Sequence, residues 1–350
     1  MNKYFNNSAI LIVDKTITLK HYLNFLYKYN FKKIFLLKNK NIKIKTNLIK
    51  NFNFEVKIIN FSSKEFTYDI LKKKNIKNKI LGDILILRTS KFINLNLFKL
   101  YEIFLKNKKK LVITVINHNK KIENTEFFFL KNNLIERYDF TFNNLLKNKN
   151  YKIHFVRNEY LKLKKNHSKK QIDQFFSSIY SKTVILDRDG VINVNRGYVG
   201  FKKDFKFQSG AIKAIKYLYN KNYNIFVVSN QSGIARGYFT ISDVENLHIY
   251  LRDSIIKNKA TINKIYFSPY HKDGIVKKFK KNSSCRKPGI KLFKTLIKEW
   301  EIKNNSKIIM IGDQSSDKKF AENANIKFSF FKRGSLYNLI RKLKIGSYKF

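Results

Sequence analysis

Asp187 and Asp189 stand one residue apart at the end of the run Thr183–Gly190, T-V-I-L-D-R-D-G. A carboxylate at a strand end can attack a phosphoryl group. A second carboxylate two residues on can move a proton. The same oxygens suit a hard cation. The four residues before Asp187 are β-branched or aliphatic, which predicts a strand buried on both faces. Gly190 then lets the backbone turn sharply. Taken alone, D-x-D-G reads equally well as a surface turn with two solvated acids.

Three further polar clusters change that balance. Ser229-Asn230-Gln231-Ser232-Gly233, Arg286-Lys287-Pro288-Gly289 and Gly312-Asp313-Gln314-Ser315-Ser316-Asp317 follow Asp189 in order. Ser229 and nearby amides, including that of Asn230, can donate to phosphoryl oxygens, and Lys287 can neutralise charge in a pentacoordinate state. Asp313 can share a Mg²⁺ with Asp187. The elements that must position them are five strands, at Thr183–Asp187, Asn224–Ser229, Lys264–Phe267, Lys307–Ile311 and Lys327–Phe331. Helical patterns alternate with them, at Gly210–Asn220, Ser242–Lys257, Gly289–Trp300, Ser315–Asn323 and Ser335–Leu343. Repeated βα units predict a doubly wound parallel sheet with a crevice at the strand C-termini.

This order of clusters resembles the haloacid-dehalogenase (HAD) superfamily phosphatases. Asp187-Arg188-Asp189-Gly190-Val191-Ile192-Asn193, Gly197-Tyr198-Val199, Asn230–Gly237 and Cys285-Arg286-Lys287-Pro288 narrow it. They are similar to the D-glycero-D-manno-heptose 1,7-bisphosphate 7-phosphatase and histidinol-phosphatase group, over about residues 181–333. The resemblance implies Asp187 as nucleophile, Asp189 as acid/base, and Lys287 and Ser229 as phosphate ligands. It places Mg²⁺ on Asp187, the Asp189 carbonyl and Asp313. Asn230, Arg236 and Arg286 would face the substrate. It implies a Mg²⁺-dependent phosphomonoesterase that removes the 7-phosphate through an aspartyl-phosphate, in nucleotide-heptose synthesis for surface polysaccharide. Histidinol phosphatase and polynucleotide 3′-phosphatase are the enzyme alternatives, and a non-catalytic scaffold is the alternative of another class. The family's zinc loop is reduced here to Ser268-Pro269-Tyr270-His271 and Ser283-Ser284-Cys285, so no zinc is expected. The loop 269–284 must then be held by packing or be mobile. Phe320 replaces a usual glycine after Asp317, which predicts altered helix packing.

The first half also alternates strands and helices. Strands are predicted at Ala9–Val13, Lys33–Leu37, Val56–Ile59, Ile84–Leu87 and Lys110–Val115, with helices at Leu19–Tyr29 and Leu95–Lys106, which predicts a parallel α/β sheet. Phe31–Leu37 and Asp83–Phe92 resemble a degenerate sugar-phosphate nucleotidyltransferase domain. Gly82 is the one glycine before Gly190, and Arg88-Thr89-Ser90 stand at that family's metal position. No nucleotide binding is expected of it. Asn117–Gln174 reads as polar and poorly periodic, with Phe127–Leu130 an apolar exception, and Lys162–Lys170 with an exposed His167 as a boundary. The organisation is thus α/β in two domains, a smaller one at 1–170 and a phosphatase domain at 181–350.

The net charge is +49 over 350 residues. The lysines are spread among Asn, Ile, Phe and Tyr, residues that share A/T-rich codons, so nucleic acid is not the expected partner. The substrate is expected to be a small sugar bisphosphate. One cysteine excludes an intrachain disulfide, and no apolar run reaches membrane-spanning length, so cytoplasm is the expected compartment.

Overall fold

The computed structural model describes residues 8–50, 52, 54–61, 83–93, 95–106, 111–118, 121–131, 152–155, 160–162, 168–180, 182–302 and 307–345. The chain divides into two compact units, Met1–Ile172 and Asp173–Phe350.

In the first unit, Ser8–Val13 forms β1, with every residue buried. Lys33–Asn39 (β2) and Asp83–Arg88 (β4) flank it in parallel, and Glu55–Phe61 (β3) extends the sheet beyond β2. Leu19–Lys28 (α1) buries Leu19 and every residue from His21 to Leu26, so the helix is covered around most of its circumference. Asn47–Lys50 forms a single turn, α2. Lys91–Ile93 (β5) pairs with Tyr160–Lys162 (β9) in a separate ribbon. Leu97–Lys106 (α3) buries Leu97, Leu100, Tyr101 and Phe104 along one face.

The stretch 117–174, read above as poorly periodic, carries more structure than that reading allowed. Leu111–His118 (β6) and Lys121–Lys131 (β7) form an antiparallel hairpin, and β7 also pairs antiparallel with β4. Lys152–Phe155 (β8) joins β6, and Lys169–Tyr180 is a helix, α4. The sheet order is therefore β3-β2-β1-β4-β7-β6-β8, and the sheet is mixed rather than purely parallel. Phe127, Phe128 and Phe129 are fully buried, so this run drives β7 into the core. His167 lies outside the described residues.

In the second unit, Thr183–Leu186 (β10), Asn224–Asn230 (β11), Lys264–Ser268 (β12), Ile308–Gly312 (β13) and Lys327–Phe330 (β14) form an all-parallel sheet. Its order is β12-β11-β10-β13-β14. Chain order runs outward from β10 through β11 to β12, then returns to β13 on the other side. The strand ends of β10 and β13 therefore flank a topological switch point, where a crevice must open. The connecting helices are Ala211–Asn220 (α5), Ile241–Lys257 (α6), Lys291–Trp300 (α7) and Ser315–Asn323 (α8), with Leu336–Lys342 (α9) last. A capping box starts α6, where the Thr240 amide donates to Asp243 Oδ2 at 2.8 Å. Phe320 is fully buried and meets Phe293 edge to face at 6.1 Å, so it fastens α8 to α7.

Candidate active site

All four polar clusters converge at the C-terminal edge of the second sheet. Asp187 follows β10, and its amide donates to the Ile311 carbonyl of β13 at 2.9 Å. Gly190 has φ of 85°, and a Cβ there would collide with the Asp313 carboxylate. Glycine thus allows both the turn and the close approach of the β10 and β13 ends.

Lys287 ties the acids together. Its Nζ lies 2.7 Å from Asp187 Oδ1 and 2.5 Å from Asp317 Oδ1, and it donates to the Val228 carbonyl at 2.9 Å. Two of the ammonium hydrogens thus have hydrogen-bond acceptors, and Asp317 completes the ion pairing. Burial pulls the Lys287 pKa down, but Asp187 and Asp317 outweigh it and the net direction is up. Asn230 holds the lysine in place from the end of β11. The Lys287 amide donates to Asn230 Oδ1 at 2.9 Å, and Asn230 Nδ2 donates to the Lys287 carbonyl at 3.1 Å. The Asn230 amide therefore grips the lysine's backbone.

Asp187, Asp313 and Asp317 can bring one oxygen each within 4.8 Å of one another. Burial pushes the Asp187 carboxyl up to about 7, with Asp317 and Asp189 adding to the rise and Lys287 opposing it. Burial also raises Asp313, against the pull of its bond from Gln314. Asp313 Oδ1 is buried and accepts no hydrogen bond among the described residues. Three carboxylates against one ammonium, with an orphaned buried oxygen, fit a hard divalent cation. Asp317 reaches this cluster because it caps α8, accepting from the Gln314 amide at 3.0 Å.

Asp189 has other partners. Arg188 Nη2 donates to its Oδ1 at 2.9 Å and its Oδ2 at 2.8 Å. Asn193 Nδ2 donates to Oδ1 at 2.9 Å and Gln231 Nε2 to Oδ2 at 2.7 Å. Gln231 Nε2 also reaches Ser229 Oγ at 2.8 Å. Three side chains thus fix the Asp189 carboxylate.

A cavity of about 230 Å³ opens over these groups, lined in part by Asp187, Asp189, Ser229, Lys287, Tyr198 and Arg286. Arg286 Nη1 and Arg236 Nε are buried and meet no acceptor among the described residues. Burial and then Arg236 lower the Arg286 pKa, and burial followed by Arg286 and Arg236 lowers that of His271. These cations thus crowd one region, and the Arg236 guanidinium lies 5.9 Å from the centre of the Tyr198 ring. The loop 269–284 is pinned by backbone bonds: Ile275 and Val276 both donate to Ala235, at 2.8 and 2.9 Å. Phe279 packs on the Ile234–Phe239–Val244 cluster.

Asp187, Asp189, Ser229, Asn230, Arg286, Lys287 and Asp313, singled out by sequence, all meet at this edge, with Arg236 beside Tyr198 on the rim. Arg188, Gln231 and Asp317 were not assigned work by the sequence reading. A signal was present for two of them. An arginine beside a buried strand needs a carboxylate, and Asp317 stands three residues after Gln314, the capping-box spacing.

A family profile described as polynucleotide kinase 3 phosphatase matches residues 181–332. The chain is 38% identical over 148 residues to the D-glycero-beta-D-manno-heptose-1,7-bisphosphate 7-phosphatase of Helicobacter pylori strain J99, covering 42% of this chain and 80% of that protein. It is 37% identical over 146 residues to the D-glycero-alpha-D-manno-heptose-1,7-bisphosphate 7-phosphatase of Campylobacter jejuni, covering 42% and 79%. Among solved structures, D,D-heptose 1.7-bisphosphate phosphatase from B. bronchiseptica, complexed with magnesium and phosphate, aligns at 20% identity with a TM-score of 0.42, covering 46% and 97%.

Proposed function

The chain belongs, through its second half, to the D-glycero-D-manno-heptose 1,7-bisphosphate 7-phosphatase family, and on that premise we propose that it removes the 7-phosphate of such a heptose bisphosphate. The observation that carries the reading is the bonding of Lys287 to both Asp187 and Asp317, with Asp313 beside them at the switch point. Asp187 Oδ attacks phosphorus, and the bond to the sugar oxygen breaks. The leaving alkoxide takes a proton from the Asp189 carboxyl. Water then attacks the aspartyl-phosphate, gives its proton to Asp189, and inorganic phosphate leaves while Asp187 is restored. Lys287 and Ser229 line the cavity in which the phosphoryl group would sit, and Asn230 acts by gripping Lys287. Asp187, Asp313 and Asp317, with the Asp189 carbonyl, would hold Mg²⁺, which supplies charge neutralisation at the phosphoryl group.

The second phosphate has its own donors. Arg236 Nε and Arg286 Nη1 lack acceptors near the cavity mouth, and a dianion would satisfy both. That favours a bisphosphate over histidinol phosphate. The test is phosphate release with Mg²⁺ from the two heptose bisphosphate anomers, histidinol phosphate and a 3′-phosphorylated oligonucleotide. Preference for a heptose bisphosphate is expected; preference for the oligonucleotide, in line with the profile match, would overturn it.

The first unit is proposed to be a degenerate nucleotidyltransferase-like domain without a nucleotide site. At the C-terminal ends of β1 and β4, Asp14 Oδ2 accepts from Arg88 Nε at 2.6 Å and Ser90 Oγ at 2.9 Å. Thr89 Oγ1 accepts from the amides of Asp14 and Lys15, each at 2.9 Å. The polar groups at that edge are thus engaged with one another. Cytoplasm is the proposed compartment; no helix among the described residues is long and apolar enough to cross a membrane.

A further inference from the structure

Arg188 sits between the two acids of the motif and is fully buried. A buried guanidinium is costly unless its donors are met. Here Nη2 reaches both oxygens of Asp189 and also the Val199 carbonyl, Nε reaches Asp189 Oδ1 at 3.3 Å, and Nη1 lies 3.3 Å from His248 Nε2. Burial and then Arg188 hold the His248 pKa well below the usual imidazole range, so its Nε2 can accept from Arg188. Gln231, 2% exposed, spans Asp189 Oδ2 and Ser229 Oγ with one amide nitrogen. The carboxylate is therefore held by the Arg188 fork, with Asn193 Nδ2 also on Oδ1, and by the Gln231 amide. That amide also touches the Ser229 hydroxyl on the cavity wall. A carboxyl that moves a proton to a leaving oxygen must be held within a few tenths of an ångström of its line.

We infer that Arg188 and Gln231 are positioning residues, which fix the Asp189 carboxyl for proton transfer in both halves of the phosphatase reaction. The inference rests on the reading above. It predicts a dependence on the leaving group that a merely structural role would not produce. Departure of a sugar alkoxide needs Asp189, whereas 4-nitrophenolate leaves without a proton. Hydrolysis of the aspartyl-phosphate needs Asp189 as base for either substrate.

The variants are Arg188→Lys and Gln231→Met, each in the full chain with Mg²⁺. Steady-state kcat on the heptose bisphosphate should fall about 10²-fold, the low end for a lost acid/base, with KM within about two-fold. With 4-nitrophenyl phosphate, stopped flow should show a stoichiometric burst of nitrophenolate, within about three-fold of the parent rate, before a slowed steady state. Equal losses in burst and steady state, or no loss in either, would overturn the inference. If Arg188→Lys does not fold, Gln231→Met alone decides by the same two readouts. A parent protein that turns over neither heptose anomer would instead overturn the proposed function, so the two failures are separable.

Discussion

At the scale of single residues, the site holds more negative charge than its protein partners neutralise. Asp187, Asp313 and Asp317 surround one ammonium. Replacing Asp187 with Asn should therefore have two opposite effects. Phosphate release should fall several thousandfold or more, roughly 5 kcal/mol of barrier, because no nucleophile remains. The metal-free protein at pH 8 should melt higher by roughly 2–4 °C, about 1 kcal/mol for a unit of this size. The sign follows from the raised folded pKa: the stability tied to protonated Asp187 is present at low pH and lost as pH rises from about 4 to about 7. Phosphate assay and calorimetry check both, and near-normal turnover by folded Asp187→Asn protein would end the mechanism. Much of this site was legible in the sequence, since strand-end carboxylates, a lysine and a serine in order have few other uses. Arg188 was less so, because an arginine beside a buried strand signals a carboxylate partner without saying which one. Asp189 likewise looked like a bare acid, whereas its carboxylate accepts from three side chains.

At the scale of elements, the parallel sheet of the second unit puts the strand ends where the chemistry needs them, and α6 braces them from below through His248. His248 is buried, and its pKa is lowered by burial first and by Arg188 and Arg252 after it. The unfolded chain takes up a proton near pH 6.5 that the folded chain refuses. Stability from this group is thus intact above about pH 6.5 and lost as pH falls below it. His248→Gln should flatten the acid limb of the melting midpoint between about pH 6.5 and 5 while costing little at pH 8. Melts of both proteins across that range check it, and parallel curves would refute it. The βα alternation here was legible because each strand is a short apolar run and each helix has one apolar face. The hairpin of β6 and β7 was not. Lys121–Lys131 reads K-I-E-N-T-E-F-F-F-L-K, half polar and half continuous aromatic, which matches neither period. Its pairing with β4 and β6, distant in sequence from β4, decides its state.

At the scale of the whole molecule, two units carry a very uneven share of the chemistry. The acids, the lysine and the open cavity belong to Asp173–Phe350. The corresponding edge of the first unit's sheet is bound up in the Asp14–Arg88–Ser90 set. That contrast sets a prediction about nucleotides. A net charge of +49 gives any polyanion a background attraction to the full chain. Exposed charge pairs are screened within about 8 Å at physiological ionic strength, so that attraction should fade with added salt. A built site would survive salt and would discriminate between bases, because its donors are directional and partly desolvated. Full-length protein titrated calorimetrically with GTP, ATP and CTP should therefore show weak, base-independent heats at low salt and none at about 0.5 M, where the screening length is roughly half the physiological value. The Arg88→Ala variant adds a control, since it breaks the 2.6 Å bond to Asp14 and opens the strand edge. If the edge is only closed by that pair, Arg88→Ala should gain no base preference, because the chain has no glycine-rich cradle there to fold around a triphosphate. Salt-resistant binding of one nucleotide, in the parent or the variant, would mean the first unit keeps a working pocket.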